Sequence, residues 1–309
     1  MTSLKIAILG ECMIELQQKG ELLKRAFGGD TLNTATYLSR LTQQQAMQTS
    51  YVTALGFDPF SKDMLAQWQQ ESIDTSLILQ IKEKQPGLYY IETDGTGERT
   101  FHYWRNDSAA KYLLDQPESV ALLETLLSYD AIYLSGITLA ILTDNGRKAL
   151  LEFLKRFRFQ DNKKVIFDNN YRPKLWASQS AAKDAYLKTL QLTDIALLTF
   201  DDDQALFGDD SIEDCIKRSQ AAGIKEIVLK RGSDDCVIIE NGKEIIKVPT
   251  KKVNNVVDTT AAGDSFSAGY LAERLNGRSA EESAKAAHIM AGAVIQHPGA
   301  IIPASAMPK

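Results

Sequence analysis

Cysteine and histidine are both scarce in this sequence, with three of each among 309 residues. The cysteines are odd in number and far apart, so they support neither a disulfide framework nor a metal knuckle. No two histidines have the spacing of zinc ligands. We therefore expect free thiols in a reducing compartment and no zinc site built from these residues: Cys12, Cys215, Cys236, His102, His288 and His297.

The chain also lacks an excess of positive charge and long apolar runs. Its net charge is −5, whereas nucleic-acid and membrane-surface partners require a basic footprint. The early apolar run Leu4–Leu9 is too short for a signal segment or a membrane span, and no later stretch approaches twenty apolar residues. We expect a cytoplasmic protein that binds small molecules, with neither nucleic acid nor a membrane as a partner.

Three common motifs of nucleotide and ester chemistry are missing as well. The sequence has no Gly-x4-Gly-Lys-Ser/Thr, no Gly-x-Gly-x-x-Gly and no Gly-x-Ser-x-Gly, which argues against P-loop NTPases, Rossmann dehydrogenases and α/β-hydrolases. What remains is an ordinary enzyme composition, 44% hydrophobic and 24% charged. A chain of this length can bury a large core as one domain plus an appendage.

Short apolar runs alternate with longer amphipathic ones along most of the chain. Such alternation predicts βαβ units and a doubly wound parallel sheet, whose ligands bind beyond the carboxyl ends of the strands. The predicted strands are Lys5–Leu9, Ala131–Ser135, Lys164–Asp168, Ile195–Thr199 and Glu226–Lys230. The predicted helices include Ser119–Leu127, Asn145–Phe157, Ile212–Ala222 and Ala280–Val294.

Two segments interrupt this alternation. Gly87–Thr93 and Glu98–Tyr103 flank Asp94-Gly95-Thr96-Gly97, which is a hairpin signal. With the early stretch Met13–Ala26 they predict a small β lid. We therefore expect a main domain at 1–12, 28–85 and 108–309, and a lid at 13–27 and 86–107. A second hairpin at Glu240–Lys243 is expected at the far edge of the main sheet.

The most informative stretch is Asp258–Leu271, Asp-Thr-Thr-Ala-Ala-Gly-Asp-Ser-Phe-Ser-Ala-Gly-Tyr-Leu. Small residues lead into a helical pattern, and a helix N-terminus leaves backbone amides free to bind a phosphate. Asp264 would face the group that accepts that phosphate, although an acid in the first turn also suits helix capping alone. Ala268 and Gly269 continue a small-residue face that is expected to dock on the sheet.

Three further elements carry polar or aromatic side chains that suit a sugar ligand. Gly28–Asn33 offers paired glycines with hydroxyl-binding side chains, although its spacing by itself favours a turn with a helix N-cap before a helix at Thr34–Leu41. Tyr89–Glu92 and Arg99–Asn106 place aromatics and an arginine on the lid, suited to a carboxylate ligand or to cross-strand packing. Asp168–Trp176 follows a core strand and brings a second arginine to the ligand-binding end of the sheet.

Together these elements resemble a known family. Asp258–Leu271 resembles the C-terminal signature of the ribokinase (PfkB) carbohydrate kinases, and every position fits that pattern. Gly28–Asn33, the aromatic lid and Asn169–Trp176 resemble the branch of this family that phosphorylates 2-keto-3-deoxygluconate. The resemblance runs from Gly10 to Pro303, nearly the whole chain. It implies a ribokinase-like α/β fold with a doubly wound, mostly parallel sheet flanked by helices, and a small antiparallel β lid.

The resemblance also implies roles for individual residues in a transfer from ATP to the terminal 6-hydroxyl of the sugar acid. Asp264 is the implied base, and the implied anion hole consists of Ala261, Ala262 and Gly263. The lid and core arginines and tyrosines would hold the carboxylate and hydroxyls. The implied substrate contacts are Gly29, Asp30, Asn33, Tyr89, Tyr103, Arg105, Arg172 and Asp264.

ATP and Mg²⁺ are the implied cofactors. The implied nucleotide contacts are Asn170, Lys230, Arg231, Gly232, Gly263, His288, Ala291 and Gly292. By themselves, Lys230–Gly232 also suits a solvated strand end, and His288 suits a helix surface. Asp203 is the candidate to hold Mg²⁺ through water, since the family's Asn-x-x-Glu element falls at Phe200–Asp203, with phenylalanine in place of asparagine. A solvated helix N-terminus explains the acids there equally well.

Two other functions stay open at the level of sequence. One is a fructokinase- or ribokinase-like enzyme for a neutral sugar, and the other is a sugar- or nucleotide-binding regulator without catalysis. The intact Gly263-Asp264 pair speaks against the regulator. A small exposed sheet commonly buries an edge or face against a second copy, so we expect a homo-oligomer, a dimer or larger.

Overall fold

The structure, a computed structural model, describes residues 3–93 and 99–308. The strands are β1 Leu4–Leu9, β2 Met13–Lys19, β3 Leu22–Gly28, β4 Met47–Val52, β5 Ala54–Leu55, β6 Leu79–Gln80, β7 Leu88–Thr93, β8 Arg99–Trp104, β9 Ala131–Ser135, β10 Lys164–Asp168, β11 Ile195–Thr199, β12 Glu226–Lys230, β13 Cys236–Glu240 and β14 Ile246–Val248. The α-helices are α1 Asp30–Thr42, α2 Pro59–Gln70, α3 Ser119–Leu126, α4 Gly136–Ile141, α5 Asp144–Arg158, α6 Gln179–Leu190, α7 Phe200–Phe207, α8 Ile212–Ala221, α9 Ala262–Arg274 and α10 Ala280–Val294. Short 3₁₀ helices cover Ala109–Asp115, Pro173–Leu175 and Ala304–Ala306.

Eight strands form the main sheet, in the order β14-β13-β12-β11-β10-β9-β1-β4. The pairs from β12 to β4 are parallel, and β13 and β14 are antiparallel at one edge. The expected doubly wound, mostly parallel sheet is therefore confirmed. The second predicted hairpin lies at this edge, between β13 and β14. Strand order reverses between β1 and β9, and ligands in such sheets bind outside the carboxyl ends of strands at this kind of switch point.

The central strands alternate their side chains between two apolar cores. On β1, Ala7 and Leu9 face one core, while Ile6 and Ile8 face the other. The first core includes residues of α5 and α6, and the second includes residues of α1, α9 and α10. Burial on both faces explains why these strands read as continuous apolar runs in the sequence. None of the helices in the described ranges is both long and apolar enough to cross a membrane.

The lid is a separate four-stranded sheet with the order β3-β2-β7-β8. Its outer pairs, β2 with β3 and β7 with β8, are antiparallel, and its central pair, β2 with β7, is parallel. The predicted turn Asp94–Gly97 lies outside the described residues. The four strands fall within the two predicted lid segments or one residue beyond them, at Gly28. The domain division at 13–27 and 86–107 stays a prediction.

Helix α9 packs closely against α10 at Gly269. A Cβ added to Gly269 would lie 2.9 Å from the Cα of Ala287 and 3.2 Å from the Cβ of Met290. The expectation that Gly269 docks on the sheet is therefore wrong, since its neighbour is a second helix. The close approach is possible because glycine adds nothing between the two backbones.

Candidate active site

The N-terminus of α9 has free backbone amides at the carboxyl end of the main sheet. Ala261 caps the helix in the left-handed conformation, with φ 61° and ψ 17°, which costs a non-glycine residue free energy and is often found at functional sites. The amide of Ala262 donates to the carbonyl of Thr259 at 3.2 Å. The amides of Gly263 and Asp264 have no acceptor among the described residues. This arrangement suits an anion.

Asp264 lies beside this cradle and belongs to a cluster of acids. Its Oδ2 accepts a hydrogen bond of 2.8 Å from the Nδ2 of Asn33. Burial, followed by the nearby carboxylate of Asp30, raises the pKa of Asp264 to about 8. Burial also raises the pKa of Asp30, whose Oδ2 accepts from the Nδ2 of Asn170 at 2.8 Å. The structure thus brings together four predicted site residues from distant parts of the chain.

Helix α1 presents two of these residues and begins four residues earlier than the sequence suggested. Asp30 is its first residue and Asn33 lies in its first turn, so the Gly-Gly-Asp-Thr segment is a helix start. A Cβ on Gly29 would lie 2.2 Å from the carbonyl oxygen of Glu11. The structure therefore gives Gly29 a packing reason of its own, and its contact with substrate stays a prediction.

A buried ion pair lies under the cradle. The Nζ of Lys230, at the end of β12, donates to the Oδ2 of Asp168, at the end of β10, over 2.7 Å. Ser267 and Tyr133 donate to the same oxygen at 2.9 and 3.3 Å. A Cβ on Gly263 would lie 3.7 Å from the Lys230 Nζ. A fixed positive charge therefore adjoins the free amides.

The predicted lid residues lie on one face of β7 and β8, as alternation requires. The rings of Tyr89 and Tyr103 are 5.8 Å apart, and Tyr89 donates its hydroxyl proton to Glu15. Arg105 forms a buried ion pair with Glu11, whose side chain is 1% exposed. The carboxylate that Arg105 contacts in the structure is thus one of the protein's own.

A cavity of about 240 Å³ lies between this lid face and the loops that adjoin α9. The lid contributes Glu15, Tyr89 and Phe101, and the main domain contributes Thr260 and Gly299. Burial, followed by the nearby carboxylate of Glu15, raises the pKa of Tyr89. Its hydroxyl is therefore a hydrogen-bond donor at neutral pH. The cavity offers both polar and aromatic surface next to the predicted anion hole, the combination that a sugar ligand requires.

Arg172 is the more open of the two predicted arginines. Its side chain is 52% exposed, and its Nη1 lies 3.4 Å from the Oδ1 of Asp202. Burial raises the pKa of Asp202 to about 6, although Arg172 and Lys230 act in the opposite direction. Asp202 belongs to the acid run Asp201–Asp203 that the sequence offers as the candidate for Mg²⁺, and it lies one residue before Asp203, the residue that the resemblance selects from this run.

Asp203 itself is buried and already has protein partners. Its Oδ1 accepts from the Nδ2 of Asn169 at 2.9 Å, and its Oδ2 accepts from Cys215 and Arg218 at 2.9 and 2.7 Å. Asp203, Asp209 and Cys215 are close enough to one another to surround an ion, but Arg218 pairs with both acids. These contacts describe a neutralised structural cluster, and the role of Asp203 toward Mg²⁺ stays a prediction.

The remaining predicted nucleotide residues have local contacts of their own. Arg231 pairs with Asp234 at 3.3 Å, and Gly232 takes a left-handed φ of 58°. His288 packs edge-on against Phe266, and a ring nitrogen lies 3.2 Å from the carbonyl of Val248. On α10, both Ala291 and Gly292 are partly buried. Their contacts with ATP, and that of Asn170, stay predictions.

Comparison with known proteins adds the decisive observation. A family model described as pfkB family carbohydrate kinase matches residues 3–307. The chain belongs to this family. It is 54% identical over 308 residues to the 2-dehydro-3-deoxygluconokinase of Escherichia coli K12, covering 99% of both chains, and 54% identical over 310 residues to that of Dickeya dadantii, covering 100% of both. The solved fructokinase of Xylella fastidiosa with bound ATP aligns at a TM-score of 0.82 with 20% identity, over 100% of this chain and 96% of that one, a likeness of fold.

The sequence of this PfkB-family kinase did not reveal which acids pair with two of the predicted site residues, Arg105 and Lys230. Glu11 is joined to Arg105 across 94 positions, and Asp168 is joined to Lys230 across 62. Asp168 ends the buried parallel strand β10, and Glu11 lies two residues after the end of β1, so both acids lie at the ligand-binding end of the sheet. That position was the available signal, because a charge at the end of an apolar strand needs a partner there.

Proposed function

We propose that this chain is an ATP-dependent kinase that phosphorylates the 6-hydroxyl of 2-keto-3-deoxy-D-gluconate, giving 2-keto-3-deoxy-6-phosphogluconate and ADP. The observation that carries this proposal is 54% identity along the full length to proteins named 2-dehydro-3-deoxygluconokinase. The free amides beside Asp264 support it, because phosphoryl transfer asks a protein mainly for positioning and charge stabilisation.

Asp264 is the proposed base. It would orient the sugar hydroxyl and accept its proton, and a pKa of about 8 is close to the pH at which a base must exchange protons. Asn33 holds one oxygen of the carboxyl group and leaves the other for the hydroxyl. The amides of Gly263 and Asp264 would stabilise charge on the transferring phosphoryl group.

The arginines and lid tyrosines would hold the substrate. Arg172 is half exposed and so is available to a carboxylate, while Arg105 would contribute from the lid with Tyr89 and Tyr103. Only arginine pairs both oxygens of a carboxylate through a planar fork. Closure of the lid over the cavity would exclude water, whose attack would waste ATP.

The residues at the site fit Mg²⁺ only in part. Both oxygens of Asp203 are engaged by the protein, whereas Asp202 is partly buried beside Arg172 and offers an oxygen ligand. Mg²⁺ usually keeps several waters and needs only one or two carboxylates besides phosphate oxygens. When bound with ATP it would neutralise phosphate charge. We propose that Asp202 or Asp203 faces it through water.

An assay of ADP release tests the substrate assignment. The purified chain is given ATP and Mg²⁺ with 2-keto-3-deoxygluconate, gluconate, fructose or ribose in turn. We expect the highest kcat/KM with 2-keto-3-deoxygluconate. An equal or higher value with fructose or ribose would indicate a kinase for neutral sugars, and sugar binding without ADP release would indicate a regulator.

We further propose that the protein acts in the cytoplasm as a homo-oligomer. The lid carries apolar side chains that point to solvent, with Leu22 75% and Trp104 62% exposed. Exposed apolar side chains on the edge strands of a small sheet suit burial against a second copy.

A further inference from the structure

The ammonium group of Lys230 lies in a place where a purely structural lysine would be unusual. Its side chain is 9% exposed, in a protein where lysines mostly face water. It ends β12 and reaches under the first two turns of α9, donating to Asp168 at 2.7 Å and to Ser267 Oγ at 3.4 Å. Burying an ammonium ion is costly unless partners surround it.

Asp168 is held as firmly as the lysine that it binds. Its Oδ2 accepts from three donors on three different elements: Lys230 on β12, Ser267 on α9 and Tyr133 on β9. All four side chains are buried. The ion pair is therefore fixed relative to the sheet and to the helix whose N-terminus carries the free amides.

The position of the ammonium group relative to those amides suggests its use. The Nζ lies 3.7 Å from the place where a Cβ of residue 263 would be, and Gly263 has none. The positive charge therefore lies beside the cradle, on the side to which a side chain of residue 263 would point. Ser267 lies one turn after Gly263 on the same face of α9, which aligns the lysine along that face.

We propose that Lys230 is a catalytic residue, whose ammonium group contacts the transferring phosphoryl group together with the amides of Gly263 and Asp264, and that Asp168 is its positioning residue. This inference rests on the proposed kinase function. It goes beyond a nucleotide-lining role for Lys230, because it predicts an effect on turnover and not on nucleotide affinity.

The chemical step is a single transfer. The acceptor hydroxyl oxygen bonds to the γ-phosphorus while the bond from that phosphorus to the β–γ bridging oxygen breaks, and the electron pair of the broken bond leaves with ADP. The hydroxyl proton passes to Asp264. The ammonium group of Lys230 stabilises the negative charge on the phosphoryl oxygens, as preorganised donors do in a site closed to water.

Lys230→Met tests the proposal, since methionine keeps most of the length of the side chain without its charge. We expect kcat to fall about 100-fold or more, while the Kd for ADP, measured by calorimetry, changes less than about threefold. Asp168→Asn keeps the shape but releases the lysine, and kcat should fall about tenfold or more with ADP affinity retained. Both variants are assayed with the acceptor that the wild type phosphorylates fastest, so an error in the substrate assignment does not affect the result.

Arg40→Met is the matched control for the loss of a buried cation. Arg40 pairs with Glu71 at 2.6 Å with a side chain only 10% exposed, and it lies in the last turn of α1. We expect lower stability but a kcat within threefold of the wild type. A kcat of Lys230→Met within threefold of the wild type, or a parallel loss of kcat and ADP affinity, would overturn the proposal. If Lys230→Met does not fold, Asp168→Asn decides: unchanged turnover rejects the assignment.

Discussion

At the scale of single residues, the site is governed by negative charges held close together. Asp30, Asp168 and Asp264 approach one another at the carboxyl end of the sheet, and both Asp30 and Asp168 raise the pKa of Asp264. The positive charge of Lys230 lowers the pKa of Asp264. With its pKa raised, the carboxyl group of Asp264 binds a proton more readily than a solvated carboxyl group does. A proton acceptor requires this property.

Asp264→Asn should separate substrate binding from turnover. Asparagine fills the same space and can still accept from Asn33, but it cannot take a proton from the sugar hydroxyl. We expect kcat to fall about 10²–10⁴-fold, with the Kd for the sugar acid nearly unchanged in equilibrium binding. Near-normal turnover would end the assignment of Asp264 as the base.

Asp30→Asn should move the pH dependence of the reaction. A base must be deprotonated to act, so kcat/KM should rise with pH through the pKa of Asp264, which is about 8 in the free protein. Removing the charge of Asp30 removes a repulsion, lowers that pKa and shifts the rising limb to lower pH. Asp184→Asn, on the exposed surface of α6, is the control. If the rising limb of the kcat/KM profile does not move in Asp30→Asn, the electrostatic effect of Asp30 on Asp264 would be contradicted.

At the scale of secondary-structure elements, α9 and α10 form a closely packed pair behind the cradle. Gly269→Ala inserts a methyl group 2.9 Å from the Cα of Ala287. Alanine favours a helix by about 1 kcal/mol over glycine, but this backbone cannot yield without moving a helix. We expect a net loss of about 1–3 kcal/mol, measured as a lower urea midpoint.

Gly292→Ala on α10 is the matched comparison. Its nearest new contact is the Cγ2 of Val253 at 3.5 Å, an ordinary van der Waals distance. We therefore expect this variant to gain only the higher helix propensity of alanine, which should raise its urea midpoint. Equal midpoint shifts in both glycine variants would mean that close packing does not decide the stability of this helix pair.

The elements also show how far the sequence alone could reach. The strands at Ala131–Ser135 and Glu226–Lys230 coincide with the predicted bounds, because fully buried parallel strands are apolar runs ended by polar residues. Helix α1 was predicted to begin at Thr34 but begins at Asp30, because its first turn, Asp-Thr-Leu-Asn, also has the composition of a loop. Local pattern identifies an element better than it identifies where that element begins.

The residues of the site also divide into those that the sequence revealed and those that it did not. Asp264 stood out because the small residues before it and the helix that follows are contiguous in the sequence. Glu11 and Asp168 did not, because their importance depends on Arg105 and Lys230, which lie far away along the chain and come together only through the sheet topology. No periodicity or spacing encodes such a pairing.

At the scale of the whole molecule, the lid exposes more apolar surface than a free sheet needs. Its exposed large side chains are Leu22, Leu23, Phe101, Tyr103 and Trp104, between 40% and 75% exposed. The outer strands β3 and β8 also leave both edges of this sheet unpaired within the described residues. Exposed apolar side chains and unpaired strand edges of this kind usually mark an interface.

Trp104→Glu should therefore weaken the proposed oligomer. A buried carboxylate without a partner is strongly disfavoured, so sedimentation velocity should show a shift from the oligomer toward the monomer at a fixed concentration. Phe159→Glu is the control, since Phe159 is 84% exposed and lies just beyond α5, far from the lid in the chain.

Trp104 immediately precedes Arg105, so loss of the interface should also raise KM for the sugar acid. A monomeric wild type, or an equal shift in both variants, would contradict an interface formed by the lid.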